Sequence, residues 1–224
     1  ACLVGSEMCI RDRVRLVLDH VYVATDDIRI YDAVTSFGGM AVMTSDEHKS
    51  GTDRCYEAYT KIGGTSDIVI NIQGDEPFIK PEQIESIMAC FDSPNTQIAT
   101  LVRAFEECEG WEALSNPNSP KVVLNDNSEA MLFSRSVIPY IRGCEPDEWL
   151  KRHTFYKHIG MYAYRSDVLG EITRLPQSSL ELSESLEQLR WLQNGYKIKV
   201  GITTQETVGI DTPEDMIKAL TLLS

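Results

Sequence analysis

Short β-rich runs alternate with longer helical ones from residue 20 onward, and this alternation constrains the fold more than any other feature. Strands are predicted at 20–26, 40–45, 67–73 and 97–105, and helices at 27–39, 54–64 and 80–91. Strand–helix–strand units of this kind form right-handed crossovers. The sequence therefore predicts an α/β, Rossmann-like fold: a mostly parallel sheet with helices on both faces.

The pattern changes after residue 120. Residues 121–135 are two β-runs around a polar turn, which is typical of a hairpin. The stretch 136–157 has no clear period and predicts a long loop with a short helix. Strands at 158–165 and 197–204 and helices at 182–195 and 211–223 complete the chain. We interpret residues 14–224 as one α/β domain, with an insert at about 121–165 that covers a site or forms a dimer contact.

One strand ends abruptly at two acids. In "IVINIQGDEPF" (68–78) the apolar run stops at Gly74, Asp75, Glu76 and Pro77. Adjacent carboxylates at a strand end either face solvent in a turn or hold a cation. Ligands of open α/β sheets bind beyond the carboxyl ends of strands. Asp26 and the loop 44–54 also follow strand ends, so we expect one site there.

Charge and cysteine content exclude several classes of protein. A net charge of −13 argues against nucleic-acid binding, which needs a basic face, although it leaves a nucleotide possible as a ligand. No apolar run approaches the roughly 18 residues of a membrane helix. The six cysteines form no CxxC pair, which favours reduced thiols in a cytoplasmic protein. Residues 1–13 fit no signal peptide and look like a translated sequencing adaptor, so we interpret them as a non-native leader.

Five motifs occur in a fixed order, and together they carry a family resemblance. They are "HKSGTDR" (48–54), "NIQGDEP" (71–77), "HIGMYAYR" (158–165), "LEQLR" (186–190) and "GIDTPED" (209–215). From about residue 14 the chain resembles the 3-deoxy-manno-octulosonate (Kdo) cytidylyltransferase family. The resemblance implies a nucleotide-sugar-transferase-like fold with a small dimerisation subdomain. It also implies CMP transfer from CTP to Kdo with release of pyrophosphate, for lipopolysaccharide assembly in the cytoplasm, by a homodimer.

The resemblance also implies the metal. Mg²⁺ prefers oxygen ligands and would neutralise phosphate oxygens and the departing pyrophosphate. Asp75 and Asp211 are the implied metal ligands and catalytic residues. On its residues alone, the segment around Asp211 is equally a good helix start, with a capping side chain and acids in the first turn.

The implied acid-sugar set comprises Gln73, Arg135, His158, Tyr162 and Glu187. Arg135 would hold the sugar carboxylate, and the other four would bind hydroxyl groups. Without the resemblance, His158 and Tyr162 fit ordinary core positions and Glu187 fits a solvated helix face.

The segment 50–54 is implied to line the nucleotide and the sugar. Ser50 and Thr52 would supply hydrogen-bond donors, Gly51 would permit close approach of the backbone, and Arg54 would offer positive charge. Taken without the resemblance, the segment is a polar turn before a helix.

The chain departs from the family at its beginning. The family starts with a strand and a loop of the form "IPARYxSxRLPGKPL" that holds the CTP phosphates, and nothing similar occurs here. We therefore expect this 224-residue polypeptide to turn over little or not at all. Three alternatives stay open: CMP transfer to 8-amino-Kdo or a sialic acid, an inactive sugar- or nucleotide-binding fragment, and a glycosyltransferase. The last is disfavoured because the chain lacks a DxD pair.

Overall fold

A computed structural model describes residues 12–74 and 79–205. The described residues divide into two compact units, the first comprising 12–74, 79–85 and 205 and the second comprising 86–204. Residues 1–11 of the predicted leader, Asp75 and its acidic neighbour, and the predicted helix with Asp211 lie outside the described residues. Helices and strands alternate as predicted, and the fold is of the α/β class.

The first unit begins with a parallel crossover. Its elements are β1 (Tyr22–Thr25), α1 (Ile28–Ser36), β2 (Met40–Met43), α2 (Gly51–Lys61) and β3 (Ile68–Asn71). β1 and β2 pair in parallel, with Thr25 opposite Met43. The Thr44 amide donates to the Thr25 carbonyl at 2.9 Å, so the two strands end side by side.

α2 begins three residues before the predicted start at 54. Ser50 is the reason, because its hydroxyl oxygen accepts a hydrogen bond from the Asp53 amide and caps the helix. The motif containing Gly51, Thr52 and Arg54 therefore lies on the first turn of a helix rather than in an open loop.

The second unit is a sheet covered by short helices. Its strands are β4 (Ile98–Ala104), β5 (Lys121–Leu124), β6 (Ala130–Ser134), β7 (Tyr156–Arg165) and β8 (Ile198–Ile202), in the order β6-β5-β7-β4-β8. β4 runs parallel to β8 and antiparallel to β7. The first six residues of β4 are buried, and most of them are apolar, although Thr100 and Arg103 are buried with them. β5 and β6 form the predicted hairpin.

The predicted single helix over 182–195 is wrong. The helices are α3 (Pro81–Ala89), which crosses the boundary between the units, α4 (Gly110–Ser115), α5 (Trp149–Arg152), α6 (Ser166–Ile172), α7 (Ser179–Glu184) and α8 (Gln188–Gln193). Ser185 separates α7 from α8 because it adopts a left-handed conformation (φ 50°, ψ 48°), which no helix continues through. The sequence analysis also missed α4 and α6.

The stretch 136–157 is the predicted loop with a short helix, and it has a core of its own. Phe105, Leu114, Trp149 and Phe155 form a buried cluster. The Trp149 ring meets the Trp111 ring edge-on at 5.3 Å between centroids. Aromatic packing of this kind holds the segment without regular secondary structure.

The turn of the β5–β6 hairpin lies along β8. The Val200 amide donates to the Ser128 carbonyl at 2.8 Å, and Glu129 pairs with Lys199 in an antiparallel bridge. Within residues 12–74 and 79–205, no helix has the length and apolar character needed to cross a bilayer.

Candidate active site

Arg54 joins the ends of the first two strands in the first unit. Its guanidinium donates to Thr44 Oγ1 at 2.8 Å and to Asp26 Oδ2 at 2.9 Å. The hydrogen bond from Arg54 lowers the pKa of Asp26 below its ordinary value. The predicted meeting of Asp26 with the loop 44–54 is therefore confirmed, and the charge of Arg54 is compensated by a carboxylate.

Gly51 of the same segment lies beside Gln73. A Cβ placed on Gly51 would lie 3.6 Å from Gln73 Nε2 and 3.7 Å from Asn71 Nδ2. Gly51 and Gln73 are exposed, whereas Thr52 is buried with 3% of its surface accessible. The first unit thus brings Gly51 and Gln73 together at an exposed position, next to the half-buried Ser50 in the chain. The chain itself leaves room for a side chain at Gly51.

Glu57 anchors the loop, and the sequence analysis missed it. Its carboxylate accepts the Ser45 amide at 2.9 Å, contacts His48 Nε2, and pairs with Lys61 at 2.6 Å. Lys61, then Ser45 and His48, lower the pKa of Glu57 to about 2. The spacing of Glu57 and Lys61, four residues apart on a helix, is the one signal in the sequence.

No metal centre is visible in the part of the chain that the structure covers. Among residues 12–74 and 79–205, no group of three or more His, Cys, Asp or Glu side chains could hold an ion. The two aspartates predicted as magnesium ligands lie outside those ranges, so their role stays a prediction.

Arg135 in the second unit is held by main-chain carbonyls. Its Nε donates to the Glu184 carbonyl at 2.6 Å, Nη1 to the Pro117 carbonyl at 2.9 Å, and Nη2 to the Ser185 carbonyl at 3.3 Å. These bonds use three of the five N–H donors of a guanidinium. Because carbonyl oxygens are uncharged, the side chain is fixed while its positive charge stays available to an anion.

His158 lies on β7 as a neutral imidazole. Burial lowers its pKa to about 3. Its Nε2 lies 2.9 Å from Thr100 Oγ1, and that hydroxyl lies 2.8 Å from the Met161 carbonyl, to which it donates. Since the hydroxyl has one proton, we assign the proton of the imidazole to Nε2. Nδ1 is then left as an acceptor.

Tyr162 lies next to His158 and is buried, with 7% of its surface exposed. Its ring lies 5.2 Å from that of His158 and 5.0 Å from that of Trp191. Within the described residues its hydroxyl lies near Thr100 but makes no hydrogen bond of good geometry, and Gln188 Nε2 and Trp191 Nε1 are also unpaired. Buried polar atoms without partners cost free energy, so a ligand or water that pairs with them would be favoured.

Glu187 is not on a solvated helix face. Arg190, which is 6% exposed, contacts its carboxylate, and the Arg190 Nε also lies 3.4 Å from Glu181 Oε2. Sequence analysis missed Arg190 and Glu181. The contact between Glu181 and Arg190 spans nine residues and depends on the break between α7 and α8, which no local pattern indicated. Glu187 and Arg190 are three residues apart, and that spacing is visible in the sequence.

The chain is similar to known cytidylyltransferases over most of its length. The model of the cytidylyltransferase family matches residues 9–198. A 3-deoxy-manno-octulosonate cytidylyltransferase of Parabacteroides distasonis is 70% identical over 95% of this chain and 85% of its own length. One of Bacteroides thetaiotaomicron is 65% identical over 92% and 82%.

A solved structure gives the same result for the fold. The CTP complex of CMP:2-keto-3-deoxy-manno-octonic acid synthetase superposes with a TM-score of 0.87 and 39% identity, covering 97% of this chain and 87% of that one. The predicted nucleotide-sugar-transferase-like fold is thereby confirmed. The chain belongs to the 3-deoxy-manno-octulosonate cytidylyltransferase family.

Proposed function

We propose that this protein transfers CMP from CTP to Kdo, giving CMP-Kdo and pyrophosphate for lipopolysaccharide assembly. The observation that carries the assignment is the carbonyl-held guanidinium of Arg135, in a chain 70% identical to a Kdo cytidylyltransferase. A fixed cation with two unused N–H donors suits a sugar carboxylate. The neutral acceptor on His158 and the unpaired hydroxyl of Tyr162 suit sugar hydroxyl groups.

The reaction is a single displacement. The anomeric hydroxyl of Kdo attacks the α-phosphorus of CTP, a new oxygen–phosphorus bond forms, the bond to pyrophosphate breaks, and the hydroxyl proton passes to solvent. Arg135 orients the sugar through its carboxylate, and His158 Nδ1 accepts a hydrogen bond from a hydroxyl. Orientation of the nucleophile lowers the barrier because it removes the entropy of alignment. No covalent enzyme intermediate is required.

Magnesium, held by Asp75 and Asp211, is part of the proposal. When bound, it would neutralise phosphate oxygens and the charge on pyrophosphate. The loop 44–54 does not supply that charge itself, since its three acids outnumber its two bases: Asp46, Glu47 and Asp53 against Lys49 and Arg54.

We also propose a homodimer joined at β6. In the sheet of the second unit as described, β6 pairs only with β5 and exposes Met131 (61%) and Leu132 (39%). A second copy could cover these side chains. Light scattering after gel filtration should give the mass of a dimer for the wild type and of a monomer for Met131→Lys. A monomeric wild type would contradict this arrangement.

A cytoplasmic location fits the cysteines. Cys55, Cys90, Cys108 and Cys144 are free thiols in the described residues. Reduced thiols persist in the cytoplasm and are oxidised in secreted proteins.

The test is pyrophosphate release from CTP and Mg²⁺ with a panel of Kdo, 8-amino-Kdo and a sialic acid. The assay uses the 224-residue chain and a chimera whose residues 1–13 are replaced by the corresponding segment of the Parabacteroides distasonis relative. Preference for Kdo in either protein supports the proposal. Preference for another sugar, or no turnover by both proteins, overturns it. Turnover by the chimera but not by the 224-residue chain would support the expectation that the phosphate loop is needed.

A further inference from the structure

The end of β6 and the end of α7 are joined through one side chain, Glu184. Its two carboxylate oxygens accept the Ser134 hydroxyl at 2.7 Å and the Arg135 amide at 2.6 Å. Its own main-chain carbonyl accepts Arg135 Nε at 2.6 Å. One residue therefore fixes both the backbone and the guanidinium of Arg135, although the two lie 49 residues apart in sequence.

The local backbone makes this contact possible. Ser185 is left-handed, so the chain leaves α7 and directs the carbonyls of Glu184 and Ser185 towards Arg135. These carbonyls belong to the end of a helix, where they have no partner within the helix. Leu186 and Glu187 follow directly, so the same connection also carries the next residue of the predicted sugar set.

Charge supports the arrangement. Lys121 is fully buried opposite Ser134 in the hairpin register, and its Nζ donates to the Asn116 carbonyl at 2.9 Å. Burial lowers the pKa of Lys121 to about 8, and the negative charge of Glu184 opposes that shift. Glu184 is thus a counter-charge near two cations, and it leaves the guanidinium of Arg135 bonded to neutral oxygens.

We propose that Glu184 is a positioning residue, which sets the guanidinium of Arg135 for the carboxylate of the acid sugar while the guanidinium itself donates to neutral carbonyl oxygens. This inference rests on the proposed function of Arg135. It predicts that loss of the Glu184 side chain weakens sugar binding through Arg135 and leaves the nucleotide unaffected.

The experiment is a double-mutant cycle of Glu184→Ala and Arg135→Ala in the form of the protein that turns over. Alone, Glu184→Ala should raise the KM for Kdo about tenfold and change the KM for CTP by less than about twofold. In the Arg135→Ala background it should have no further effect. Glu184→Gln, which keeps an acceptor, should fall between. Glu129→Gln, another half-buried carboxylate of the same unit, should match the wild type.

Either of two kinetic results would overturn the inference: additive effects of the two alanine variants, or equal increases in both KM values. If Glu184→Ala fails to fold, Ser134→Ala removes one bond of the same carboxylate and takes its place in the cycle, with a smaller rise expected. Hydrogen exchange of the Arg135 amide gives a readout without turnover. The Arg135 amide should exchange faster in Glu184→Gln than in the wild type. Unchanged protection of this amide would contradict the positioning of Arg135 by Glu184. An inactive wild type would instead count against the proposed function.

Discussion

Two arginines of the predicted site are held in opposite ways. Arg54 in the first unit donates to the carboxylate of Asp26, whereas Arg135 in the second unit donates to three backbone carbonyls. A carboxylate partner cancels the charge, and carbonyl partners only fix its direction. The comparison indicates that Arg54 serves to join two strand ends, while Arg135 is prepared for an anionic ligand.

The prediction with the largest expected effect concerns which group supplies positive charge to the phosphates of CTP. If Arg54 is compensated, a metal has to supply that charge. Chelation of Mg²⁺ should therefore lower turnover by at least about 100-fold, and Asp75→Asn and Asp211→Asn should each do the same. The assay is pyrophosphate release, with Asp46→Asn, an exposed acid of the loop 44–54, as the control. Turnover that persists in the presence of a chelator would contradict the conclusion that a metal supplies the positive charge in place of Arg54.

The second largest effect is expected on removal of the Arg135 guanidinium. Arg135→Ala should raise the KM for Kdo by about 10- to 100-fold, because hydrogen bonds to charged groups are strong, and leave the KM for CTP within about twofold. Steady-state kinetics with each substrate varied gives both values. Arg135→Lys should be intermediate, since an ammonium keeps the charge and cannot reproduce the planar contacts. Equal losses for both substrates would show that Arg135 supports the fold only.

The neutral imidazole of His158 predicts that the stability of the fold depends on pH. The pKa of His158 is about 3 in the fold and about 6.5 in an unfolded chain. Between these values only the unfolded state binds the proton, so stability is fully present above about pH 6.5 and is lost as the pH falls towards 3. Denaturant unfolding from pH 7 to 4 should show a weaker pH slope in His158→Gln than in wild type.

The matched control for that experiment is His153→Gln, because His153 is exposed and should leave the slope nearly as in wild type. A His158→Gln slope equal to that of wild type would mean that the imidazole is protonated in the fold.

A smaller effect should follow from freeing Arg54. Asp26→Asn removes the compensating carboxylate, so the KM for CTP should fall about two- to threefold at low salt. The difference should disappear at high ionic strength, because exposed charges are screened. Kinetics at two salt concentrations checks this. A rise in KM would instead show that Asp26 is needed to orient Arg54.

The smallest expected change in stability is at Gly51. A new Cβ would meet nothing closer than 3.6 Å, so Gly51→Ala should raise the free energy of unfolding by up to about 1 kcal/mol, through helix propensity. The KM for CTP should rise if a ligand approaches the backbone there. Ser50→Ala, which removes the helix cap, should lower stability by about 1 kcal/mol. An unchanged KM in Gly51→Ala would show that no ligand comes close.

Sequence patterns predicted the structural features that depend on neighbouring residues. The first two strands, predicted to end at 26 and 45, end at Thr25 and Met43, and the hairpin after residue 120 forms as predicted. These features, and the polar turn predicted before the second helix, follow from residues within a few positions of each other. The break at Ser185 did not, because apolar spacing continues through it and serine rarely adopts a left-handed conformation. The contact between Glu184 and Arg135 joins segments 49 residues apart, and no periodicity encodes such a distance.

The hairpin turn that lies along β8 has a consequence for how molecules can associate. Ser128 and Glu129 occupy backbone positions on β8 that another strand would otherwise use, which blunts that side against uncontrolled addition. A sheet with one blunted side can recruit a neighbour at the other side only, and two identical sides meeting face each other across a twofold axis. The dimer proposed at β6 would therefore close as a pair and leave no such side for open-ended growth.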